Sequence, residues 1–201
     1  MKALISLLLA ASAFGQYKLG PAGAPPAGAA DVTAAGVQVT TADGKVWCEM
    51  WFAKSLPEGA KSAEESVSLP TVAHGAFLGI VRFPAQAQDR RGNPIKAGVY
   101  AMRYSIYPND GNHMGAAPQR DFVILIPAGK DKPPSERLTY EALMALSRET
   151  NGTPHPSVLS LAPGGAGAMP SLEKEGEKDW TLHVKIGNLP VALIVVGRAE
   201  S

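Results

Sequence analysis

The segment Pro108-Asn109-Asp110-Gly111-Asn112-His113-Met114-Gly115 sets a carboxylate, an imidazole and a thioether close together in the chain. Asp110, His113 and Met114 are metal-ligand types, and imidazole with thioether favours copper, with zinc as the other candidate. His74, His155 or His183 would have to complete such a site from elsewhere, because none of the 4 histidines is paired at a recognised ligand spacing. The same stretch, rich in Asn, Asp and Gly, has the composition of a solvent-facing turn. The turn is the first reading and the metal site the second.

A second constellation is aromatic. Trp47 and Trp51 share a strand face with Glu49, which sets up an aromatic patch of the kind that β-sheet proteins turn towards sugars or peptides. Tyr104 shares a face with Tyr100 and Met102, so it reads as core. Nucleophilic chemistry has little to start from: there is no Gly-x-Ser-x-Gly elbow, no His-Glu-x-x-His helix and no P-loop. Cys48, the 1 cysteine, alternates with Val46 and Met50 as a core residue does, and a buried thiol is inert. Ser157 follows His155-Pro156, but adjacency does not make a triad. Asp121 beside Arg120 reads as a strand-end ion pair. No residue is assigned to catalysis or to cofactor binding.

The elements that must position these residues are mostly strands. The opening MKALISLLLAASAFGQ has the charged, apolar and small-residue order of a secretory signal, with cleavage after Ala13 or after Gly15, the latter favoured. Residues 1–15 are therefore expected to be removed, and residues 16–30, containing GPAGAPPAGAA, to form a Gly/Ala/Pro-rich linker or arm ahead of a single domain over residues 31–201. Val37, Val39 and Thr41 alternate up to Asp43-Gly44, and Val46 to Phe52 alternate after it, the signature of a hairpin. Further strands are predicted over Phe77–Phe83, Tyr100–Ile106, Phe122–Ile126, Trp180–Ile186 and Val191–Val196, the last two joined by Gly187-Asn188. Ser55 to Pro70 and Ala162 to Pro170 read as loops. Thr139 caps one predicted helix from Tyr140 to about Glu149, stopped by Asn151-Gly152. About eight strands and one short helix, spaced by turn signals, predict an antiparallel β-sandwich.

One short segment carries topology. Ile95-Lys96-Ala97-Gly98-Val99-Tyr100-Ala101-Met102 resembles the tyrosine corner of immunoglobulin-like domains, which implies that the Tyr100 hydroxyl bonds back to upstream backbone at a Greek-key corner. Met102 stands where antibody-type domains place a cysteine, so no inter-sheet disulfide is implied. The stretches AGVYAMRYSIYPNDGNHMG and RDFVILIPA also resemble an uncharacterised family of exported bacterial β-sandwich proteins. That resemblance implies fold and export and attaches no activity.

The formal charge of +1 falls to zero once Lys2 leaves with the signal, which disfavours nucleic acid and anionic lipid as partners. No segment after the signal is apolar enough to span a membrane. The leading expectation is an exported, soluble, non-enzymatic β-sandwich, periplasmic or secreted, that binds a protein or carbohydrate partner or fills a structural role. A copper- or zinc-binding protein using the loop around His113 comes second, and a hydrolase with a site built from scattered residues third.

Overall fold

A computed structural model describes residues 16–107 and 119–199. The signal-like opening and the three residues Asp110, His113 and Met114 lie outside the described residues. The chain forms β1 (Lys18–Pro21), β2 (Val37–Thr40), β3 (Val46–Phe52), β4 (Phe77–Phe83), β5 (Ala87–Gln88), β6 (Pro94–Ile95), β7 (Gly98–Ile106), β8 (Asp121–Pro127), helix α1 (Tyr140–Asn151), β9 (Val158–Pro163), β10 (Ser171–Glu175), β11 (Asp179–Ile186) and β12 (Leu189–Val196). β5 and β6 make a small hairpin of their own.

The other 10 strands form one antiparallel sheet in the order β1-β2-β3-β4-β7-β8-β9-β12-β11-β10. Its two edges come back beside each other, β1 against β10, so the sheet is nearly barrel-shaped. This replaces the expected two-sheet sandwich of about eight strands. The mainly-β, antiparallel character is as the alternation predicted; the immunoglobulin-like arrangement is not what the strand order shows. The physical reason is curvature: register shifts in the β2–β3, β4–β7 and β11–β12 pairs coil the sheet until one apolar face can cover itself. At Gly79, next to the β4 bulge, φ is +143°, and an added Cβ would stand 2.2 Å from the Trp51 carbonyl oxygen, so only glycine lets β4 pass β3 there.

The interior is filled by residues such as Val39, Cys48, Met50, Val81, Met102, Val123, Leu125, Leu182 and Leu193. β8 reads as a continuous apolar run because both of its faces are covered: Val123 and Leu125 point into this core, whereas Phe122, Ile124 and Ile126 meet Leu143 and Met144 of α1 outside it. Helix α1 begins and ends as its sequence predicts. The Ala142 N–H donates to Thr139 Oγ1, and Gly152, at φ 74°, donates its N–H to the Arg148 carbonyl.

Two buried charged residues fix the loops. Arg103, fully buried on β7, holds the Asp131 carboxylate with Nε and Nη2 at 3.0 Å and also donates to the carbonyls of Gly75, Lys132, Pro133 and Glu136. Asp121 is not the expected partner of Arg120, which pairs with Glu64 instead. Its buried carboxylate accepts the N–H groups of Ser68 and Leu69 at 2.7 and 2.9 Å and the Tyr104 hydroxyl at 2.7 Å, latching the 55–70 loop to the sheet. Burial raises the Tyr104 phenol pKa far above its ordinary value, and the Asp121 carboxylate adds to the effect.

Candidate functional site

A β-bulge opens the site. Val39 and Thr40, neighbours on β2, face Cys48 and Val46 on β3, which leaves Trp47 as an extra, unpaired residue. Such a residue is free of the ladder and its side chain is re-aimed. The Trp47 indole reaches the end of the barrel, where its Nε1–H donates to the Val195 carbonyl at 3.0 Å. Its only polar atom is thereby occupied, and what it offers a ligand is the ring.

Tyr17, just ahead of β1, sets its ring edge-to-face against Trp47 at 6.0 Å and against Trp180 of β11 at 5.7 Å. Partial burial pushes the Tyr17 phenol above its ordinary pKa, so it remains a neutral hydroxyl. Trp47 and Tyr17 form one wall of a cleft of about 350 Å³, and Gln86, Gln88 and Lys178 line it with Val196. Both glutamines are exposed. They come from the chain at and just before β5, and Lys178 from the turn between β10 and β11. That turn is fastened by Asp179, which takes the Arg90 guanidinium with Oδ2 at 2.9 Å from Nη2, both side chains mostly buried. A Cβ on Gly197 would lie 2.2 Å from Asp179 Oδ1, so any larger residue there would have to push this carboxylate aside.

Aromatic faces beside side-chain amides, with one ammonium, can stack on the C–H face of a sugar ring and exchange donors and acceptors with its hydroxyls. Among the described residues that line the cleft, no nucleophile is paired with a base. Its size lies at the lower end of small-molecule sites.

Of the sequence candidates, the structure brings Trp47 to this cleft but not Trp51. Trp51 is fully buried: its indole N–H donates to the Gly23 carbonyl at 3.0 Å and its ring lies 5.7 Å under the Arg82 guanidinium. It pins residues 22–36 across the outer face of β3. Glu49 lies under the same segment, paired with Arg82 and accepting from Gly23 N–H at 3.4 Å. The aromatic patch expected from the shared face of Trp47, Glu49 and Trp51 is thus split by the bulge on one side and covered by the arm on the other. Tyr17, Gln86, Gln88 and Lys178 carry no alternation or motif that sequence reasoning could have used.

The three described histidines do not converge. His74 is half-buried beside Ser105, His155 is exposed, and His183 faces Glu175 at 3.5 Å. Among the described residues no three His, Cys, Asp or Glu side chains gather as metal ligands. Cys48 is fully buried, and desolvation raises its thiol pKa far above the ordinary value. Among the described residues no helix is long and apolar enough to cross a membrane. Comparison with protein-family models, with curated proteins and with solved structures finds no match to this chain.

Proposed function

We propose that the protein is an exported, non-enzymatic binding module whose cleft at Trp47 takes a neutral carbohydrate. The observation that carries this reading is the pairing of the Trp47 and Tyr17 rings with the amides of Gln86 and Gln88 in one cleft of small-molecule size. A sugar presents apolar C–H faces and dense hydroxyls, and this wall offers one partner for each. A flat protein partner would favour a larger apolar patch than the cleft provides. Export is supported by the charged, apolar and small-residue order of residues 1–15.

The test is calorimetric titration of the purified chain with maltotriose, cellotriose and chitotriose, followed in parallel by tryptophan fluorescence. Saturable binding of at least one trisaccharide with a change in emission is expected, weakened at least tenfold by Gln88→Ala and by Tyr17→Ala. Absence of saturable binding by all three overturns the carbohydrate reading. Export is checked separately by intact mass after expression in a bacterium: a chain recovered outside the cytoplasm and starting after Ala13 or Gly15 is expected, and one that still begins at Met1 overturns it.

A further inference from the structure

A second cavity lies on the far side of the sheet wall from the barrel interior, between α1, the outer face of β8 and the turn that follows β5. It measures about 320 Å³. Its walls are apolar and aromatic: Tyr107, Tyr140, Met144 and Val158, with Phe122 stacked on the Tyr107 ring at a centroid distance of 4.3 Å. Arg91 and Arg148 line it as well, together with His155 between Pro154 and Pro156, and among the described residues no Asp or Glu lines it.

Arg91 is placed through its backbone and Arg148 through its head group. Asp89 accepts the Arg91 backbone N–H at 3.0 Å and so fixes where residue 91 sits on its turn, and the Arg91 charge is felt both by that carboxylate and by the Tyr107 phenol of the cavity wall. Arg148, in the last turn of α1, donates Nε to the Pro154 carbonyl at 2.8 Å, which fixes the plane of its head group and turns the Nη nitrogens to other acceptors. Like charges brought to one apolar cavity repel, and that cost is offset when an anion enters between them. A phosphate would set charged oxygens against the aromatic walls, whereas a carboxylate puts its whole charge at one end and leaves an apolar body for Tyr107, Met144 and Val158.

We propose that this cavity is a binding site for a small aromatic monocarboxylate, with Arg91 and Arg148 on the carboxylate and the rings of Tyr107 and Tyr140 on the body. The site is separate from the Trp47 cleft, and its test does not depend on that reading. Phenylacetate is the probe, titrated into the purified chain by calorimetry, with 2-phenylethanol as the neutral match in shape. Saturable binding of phenylacetate is expected, at least tenfold tighter than that of the alcohol. Arg91→Gln, at an exposed position whose thermal midpoint should stay unchanged, is expected to weaken phenylacetate at least tenfold and to leave the alcohol as it was. No saturable phenylacetate binding overturns the proposal. So does equal affinity for acid and alcohol, or undiminished binding in Arg91→Gln.

Discussion

The Trp47 indole donates to the carbonyl of Val195, and both residues are the extra members of β-bulges. On the β12 side, Trp180 and Thr181 face Val196 and Ile194, so Val195 has no cross-strand partner on β11. One bulge frees a side chain and the other frees an acceptor, and the two meet between strands that are not neighbours in the sheet. The bond therefore ties β3 to β12 across the barrel end and holds the Trp47 ring where the cleft uses it.

Replacing Trp47 by Phe keeps an aromatic ring but removes the donor, leaving a buried carbonyl unsatisfied. Loss of at least about 1 kcal/mol is expected. Urea unfolding of the two proteins, compared at equal slope, reads it directly.

The Tyr100 hydroxyl donates to the Lys96 carbonyl at 2.7 Å, the backward bond that the Gly-x-Tyr segment implied. Tyr100 is buried and its hydroxyl is given up to this one acceptor, whereas Lys96 is exposed and its carbonyl can turn to water. Tyr100→Phe is expected to destabilise the fold by on the order of 1 kcal/mol. An unshifted denaturation midpoint would mean that the bond contributes nothing.

His74 gives the fold a dependence on pH. Desolvation lowers its pKa below the ordinary value of 6.5, only partly opposed by Glu141 and Glu64, and its buried Nε2 has no hydrogen-bond partner among the described residues. The folded chain therefore takes up this proton at lower pH than the unfolded chain. Between the two values the unfolded state holds more protons, so stability falls as pH drops below 6.5 towards the folded-state value, and is unaffected by this group above 6.5. His74→Gln removes the titration. Thermal midpoints measured from pH 7.5 down to pH 5 should fall less steeply in the variant, and parallel curves would exclude the effect.

Much of the local structure was legible because it is written in period two and in turn chemistry. Asp43-Gly44 closes the β2–β3 hairpin with Gly44 at φ 80°, and Gly187, at φ 57°, turns β11 into β12. The helix was legible through Thr139 and Gly152. β1 was not, because Lys18–Pro21 lies in a stretch of Gly, Ala and Pro and becomes a strand only by pairing with β2. β10 was not, because an edge strand reading Ser-Leu-Glu-Lys-Glu has no buried face to show. Closure of the sheet was hidden for a different reason: it depends on one-residue register shifts and on Gly79, and neither leaves a mark in hydrophobic periodicity. The cleft inherits both difficulties. Trp47 belongs to a legible strand, but its direction is set by the bulge, and Tyr17, Gln86 and Lys178 come from segments without periodic signal.

The bond between Trp47 and Val195 spans 148 residues of chain. The contact between β1 and β10 likewise joins opposite ends of the described sequence. Neither can form until nearly all the intervening strands are in place, so the entropy of closing those long segments is lost before the contacts give anything back. Folding should therefore run slowly, on the millisecond-to-second scale of sheet proteins rich in distant pairings. The cleft, which needs both closures, is then among the last features of the molecule to come into being.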